Sequence, residues 1–269
     1  MTGRALLLAG VLALLPARAR ATPDAYVVQL SWDNSARTFA GLTQLGIHSN
    51  ETRFFFGAVQ LGLWSNHAQD FIGLVQLAGM NDVVHFAGLL QLGFWNEQGS
   101  EFYGVGQVGA INHSRRELYA AGQIGLYNVV DRDFCGAFQL GLLNRAGSGD
   151  LLGPSQLGVV NLVEGSIYAV LGQVGLYNSV KTKFWGPFQL GAYNHAERFS
   201  GLAQVGLLNY IDDEIVGAQL GPANLARAVT GVQIGLFNYA RTLHGVQIGL
   251  VNMSRHGGLP FMPVANVGF

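Results

Sequence analysis

The phrase GVQIGLFN at residues 231–238 returns almost letter for letter as GVQIGLVN at 245–252, and looser copies fill the chain before it. Its central glutamine recurs as Gln29, Gln44, Gln60, Gln76, Gln91, Gln107, Gln123, Gln139, Gln156, Gln173, Gln189, Gln204, Gln219, Gln233 and Gln247, at intervals of 14 to 17 residues. Each is followed by Leu, Ile or Val. All but two have Gly two residues on, Ser31 and Ala78 being the exceptions. Each also has Asn five residues later, or six in the cases of Asn50 and Asn66. Such a period constrains the fold more than any bulk property. Every unit is a small structural element that cannot bury its apolar side without a neighbour of its own kind.

The letters exclude helix, because a Gly every few residues costs about 1 kcal/mol each relative to Ala. Counting from Gln as zero, Phe39, Phe55, Phe71, Phe86, Phe102, Phe134, Phe184 and Phe199 stand at −5. They share parity with the aliphatics at +1 and usually +3. The opposite parity holds small or apolar residues, the Gln itself, the Gly at +2 and often an aromatic at +4. A period of two predicts strand, with a greasy face of Phe and Leu and a mixed face carrying Gln. Asn closes the strand, as suits a residue that bonds its own backbone in turns. Charges collect after it, as in Arg115-Arg116-Glu117 and Asp212-Asp213-Glu214. The chain is all-β.

Two architectures accept such units. One is an antiparallel up-and-down transmembrane β-barrel of about 16 short-turn strands. A strand from the −5 aromatic to Asn, tilted by about 45°, covers near 25 Å, the height of an outer-membrane apolar band. Aromatics near both strand ends would form girdles. A last strand without Gln, around Phe261 to Phe269, makes the count even, and the terminal Phe269 resembles the signal of outer-membrane barrels. The alternative is a β-solenoid of 15–16-residue units stacked in parallel. Uniformly short turns favour it, as does the long copy between residues 121–144 and 171–194, three units apart. In a meander that odd shift reverses strand direction. The barrel is the main expectation. On it, Leu236→Arg on the lipid face costs about 2–4 kcal/mol or blocks insertion, and Gln233→Leu is expected to be the milder change in both architectures.

In both architectures the Gln residues answer to one physical demand. A buried amide left unpaired costs a few kcal/mol, and Gln at one position of adjacent strands can satisfy one another as a row. The row is expected to be structural, with contact to a permeating solute as the second reading.

The first residues read as an export signal: Arg4, an apolar stretch from Ala5 to Leu15, and a small-x-small site at Ala19-Arg20-Ala21. This predicts a signal peptide at 1–21 and a single β-repeat domain at 22–269, of fifteen Gln-centred units plus the C-terminal strand. Residues 1–21 hold three of the 15 Lys and Arg and none of the 16 Asp and Glu, so the remainder is acidic at −4. With no basic tract, nucleic acid is not an expected partner. A single Cys, Cys135, excludes an intramolecular disulfide framework.

The run GVQIGLFN…GVQIGLVN, ending in GGLPFMPVANVGF, resembles bacterial surface-repeat proteins built from tandem G-x-Q-I-G-L-x-N units. The resemblance covers nearly all of residues 22–269 and implies an exported, envelope-associated protein. It brings no activity and no site residues. A weaker likeness is to the Gln/Asn ladders of curli-type repeats.

No catalytic or cofactor constellation emerges, and no metal site. His67, His113 and His195 each follow an Asn and read as solvated turn residues. The acidic run at 212–214 lacks the alternation and Gly of a calcium loop. Cys135, at −4, reads as inert packing. The chain is expected to be non-enzymatic: a porin-like or structural outer-membrane protein with lipid and the barrel-assembly machinery as partners, or alternatively a secreted or surface solenoid acting in adhesion or self-assembly.

Overall fold

The computed structural model describes residues 23–25, 27–153 and 155–269. The expected leader at 1–21 and Pro154 lie outside them. The described residues are strands joined by bends, and the strands pair in parallel. Val28–Ala40 runs beside Thr43–Phe56 with Gln29 opposite Gln44 and Asn34 opposite Asn50. Tyr193–Val205 runs beside Leu208–Leu220 with Gln204 opposite Gln219 and Asn194 opposite Asn209. Each repeat is thus one coil, laid in register on the next. The coils fall into two compact units dividing between Leu126 and Tyr127, each built as a β-solenoid. The antiparallel barrel is overturned. A meander pairs neighbouring strands in opposite directions, and among the described residues only Met262–Gly268 runs antiparallel to its neighbour.

Glycine sets the cross-section. In the first unit the chain bends three residues before Gln at Gly41-Leu42, Gly57-Ala58, Gly73-Leu74 and Gly88-Leu89, and two residues after it at Gly109-Ala110 and Gly125-Leu126. In the second it bends at Gly136-Ala137 and Gly186-Pro187 before Gln, and at Gly158-Val159, Gly175-Leu176 and Gly206-Leu207 after it. A side chain has no room at these corners. A Cβ on Gly73 would lie 2.8 Å from the Phe71 ring, and one on Gly175 would lie 2.7 Å from Asn161 Nδ2.

The corners also explain which residues face inward. Along one straight strand, residues five apart point to opposite faces. With a bend on either side of Gln, the aromatic at −5, the Gln and the Asn at +5 all point into the coil. Phe71, Gln76, Asn81 and Phe86 are buried in succession, whereas Leu63, Leu74 and Leu236 are exposed. The expected greasy face of Phe with Leu is therefore split: Phe goes in, Leu goes out. Small residues two after Asn, such as Ala68 and Val83 in the first unit and Val180 and Ala196 in the second, complete the interior.

Parallel register places like on like at the strand spacing of about 4.8 Å. Phe39, Phe55, Phe71, Phe86 and Phe102 accordingly form a stack with ring centroids 4.4 to 5.0 Å apart. In the second unit the same slot passes through Phe134, Leu151, Ile167, Phe184, Phe199, Ile215 and Val229, all buried. The stack ends on Met262–Gly268. There Asn266 Nδ2 donates to Gln247 Oε1 at 3.3 Å and to Leu259 O at 2.9 Å, closing the Gln row. Phe269 follows this cap and is 95% exposed, so the barrel-terminus reading falls with the barrel.

These positions reverse the expected order of two substitutions. Gln233 donates to Gln219 Oε1 and accepts from Gln247, each at 2.7 Å, whereas Leu236 is 58% exposed. Gln233→Leu should destabilise by roughly 1–3 kcal/mol for each buried group it orphans. Leu236→Arg should stay within about 0.5 kcal/mol. Thermal unfolding followed by circular dichroism compares the two directly.

Candidate functional site

Two amide ladders occupy the interior. In the first unit, Gln44, Gln60, Gln76, Gln91, Gln107 and Gln123 each donate from Nε2 to Oε1 of the Gln one coil earlier, beginning at Gln29, over 2.7 to 2.9 Å. In the second unit, Gln156, Gln173, Gln189, Gln204, Gln219, Gln233 and Gln247 continue the same pattern from Gln139, over 2.6 to 3.0 Å. From Gln44 onward these side chains are buried. They are engaged with one another and do not face a lumen, so a permeating solute has no access to them.

The Asn ladder runs the other way. Asn34 Nδ2 donates to Asn50 Oδ1 at 2.7 Å, one coil later, and its second hydrogen goes to Leu45 O at 2.7 Å. The pair repeats through Asn50, Asn66, Asn81 and Asn96 in the first unit. It repeats again from Asn128 through Asn238 in the second. Reading Asn as a turn residue missed this role; its burial follows from the bend between it and Gln, which turns both side chains inward.

With the polar amides inside, the outside divides sharply. Ionisable side chains gather between Asn and the following aromatic slot. In the first unit, Glu51, His67, Asp82, Glu97 and His113 lie in register on successive coils. His67 Nδ1 lies 3.0 Å from Asp82, His113 Nδ1 3.3 Å from Glu97, and His85 Nδ1 2.8 Å from Asp70. In the second unit, Arg145 and Lys181 flank Glu164 at 3.0 and 3.6 Å. There His195 meets Asp212 at 2.8 Å and Arg198 meets Asp213 at 3.0 Å. The acidic run at 212–214 is thus spent largely on ion pairs. Among the described residues, no three His, Cys, Asp or Glu side chains are grouped to hold a metal ion.

Along the Gln strand the outside is largely apolar. From three residues before each Gln to three after it, His244 is the sole ionisable side chain among the described residues. Leu63, Leu171, Leu202, Leu207 and Leu250 are each more than 60% exposed in this strip. Cys135 lies at the strip's edge and is exposed rather than packed. A shallow groove opens beside the strip in each unit, the first between Phe56, Ile72 and Tyr103 and the second between Tyr168, Trp185 and Val216. Comparison with protein-family models, with curated proteins and with solved structures finds no match.

The hydrogen bond to Asp82 raises the pKa of His67 above its ordinary 6.5, against the opposing effect of partial burial. The contribution to stability is therefore fully present below 6.5 and fades as pH rises through the raised value. In an NMR titration His67 should have its midpoint above 6.5, and Asp82→Asn should return it toward that value.

Proposed function

We propose that this chain is an exported, non-enzymatic β-solenoid that works at the cell surface by surface-to-surface association, in adhesion or self-assembly. The observation that carries this reading is the exposed apolar strip that accompanies the Gln strand from coil to coil in each unit. Soluble monomers rarely leave contiguous apolar patches beyond a few hundred Å² uncovered. Here the interior is already filled by Phe, Gln and Asn, so the outer Leu, Val and Trp residues add nothing to the core. A surface almost free of ionisable side chains and repeated every coil suits a partner that is itself extended.

The export motif at 1–21 and the likeness to surface-repeat proteins support an envelope location. The polar side, with its paired charges, suits the face turned to water. No porin role is carried forward, because a solenoid interior packed with side chains conducts nothing.

The test is protease accessibility on intact bacterial cells expressing the full chain, read with an antibody against the charged segment at 212–214. Cleavage or antibody binding without lysis is expected. Retention in the cytoplasm, protected until lysis, would overturn the surface reading.

A further inference from the structure

Resting on that reading, we propose that the partner of the apolar strip is a lipid surface: each unit lies on a membrane with its Gln strand and both flanking corners embedded at the headgroup–acyl boundary. Three observations point to lipid.

The first is the placement of aromatic residues. None of the described Trp and Tyr side chains lies on the ridge of the strip, within two residues of a Gln. Most stand at its two edges, with Trp32 three residues after Gln29 and Tyr210 and Tyr239 just beyond the Asn slot. Trp64, Trp95 and Tyr193 come just before the Asn slot, and Tyr103, Tyr119 and Trp185 directly follow the aromatic slot. The ridge between them is largely aliphatic, with Leu42, Leu74 and Leu89 in the first unit and Leu171, Leu202 and Ile234 in the second, all exposed, and with Phe138 and Phe188 beside their Gln. Aliphatic centre and Trp/Tyr borders are the distribution that a bilayer interface selects, because these rings place an apolar body against hydrocarbon and a polar tip among headgroups. A protein partner has no reason to sort them by depth.

The second is shape. The strip bends around two corners and is convex. A second copy, itself convex, covers one flank at a time, whereas a fluid phase covers both flanks together. The third is the backbone. Corner amides are bonded to the neighbouring coils, as in Leu74 N–H to Ala58 O at 2.9 Å and Leu202 N–H to Pro187 O at 2.9 Å. Amides bonded in this way need no water, which is the condition for entering lipid. Since the charged side faces away, adsorption should not need anionic lipid, and salt should not displace it.

The experiment is flotation of the full chain with phosphatidylcholine vesicles at low and high salt. It is run in parallel with sedimentation velocity without lipid, comparing the unsubstituted chain, Leu63→Glu/Leu236→Glu and the polar-side control Arg116→Glu. The unsubstituted chain and Arg116→Glu should float with the vesicles at both salt levels. The double variant should partition at least about tenfold less. Brominated lipid should quench tryptophan fluorescence only where the chain binds. If the double variant loses its β-sheet circular dichroism, Leu207→Glu, at a position 65% exposed, takes its place. Failure to float, together with Leu63-sensitive oligomers in solution, overturns the lipid proposal and leaves the association reading standing. Failure to float by a chain that stays monomeric overturns both.

Discussion

The side-chain amide ladder is the interaction on which the rest of this protein depends. Gln and Asn are poor core residues singly, because each brings three or more hydrogen-bonding sites into a place without water. Stacked in parallel register at the strand spacing, each amide finds its twin at bonding distance above and below. Parallel coils are the one arrangement that repeats this for every unit, so ladder and topology require each other. The two ladders also balance. Gln donates toward the earlier coil and Asn toward the later one, so their dipoles oppose along the stack and a long column builds little net moment.

Filling the interior with amides and rings has a consequence outside. A coil of about fifteen residues has room for only four or so inward side chains, and Phe, Gln, Asn and one small residue take those places. The aliphatic residues that make up much of this chain's apolar content are then left on the surface beside Gln. The ionisable residues, which could not enter the interior without a heavy desolvation cost, occupy the remaining side and pair across coils. Amphipathicity here comes from the geometry of the coil.

The stack must also end. An open solenoid edge offers unpaired backbone and unpaired amides to any other chain. At the C-terminal end, the reversed strand Met262–Gly268 covers the last coil, and Asn266 replaces the next Gln of the ladder. Reversal matters here, because an antiparallel strand breaks the register that a further coil would need.

Much of this was legible in the letters. Fifteen concordant Gln positions established a repeat, frequent Gly excluded helix, and the chemistry of a buried amide called for a lateral row of its own kind. What strand periodicity misassigned was facing: it set Phe71 and Leu77 on one side and Gln76 on the other, and it took Asn81 for a turn. The spacing of five between Phe, Gln and Asn held the correction, because an odd interval cannot keep three residues on one face of a straight strand. Only the tertiary structure decided that the chain bends at Gly57 and Gly73 rather than running through them. The bend depends on contacts with the coil above and below, where a neighbour's carbonyl and an aromatic ring take the space a Cβ would fill. Sequence alone determined the unit and its period. The stacking of one unit on another determined direction, and with it which half of the apolar residues became core and which became surface.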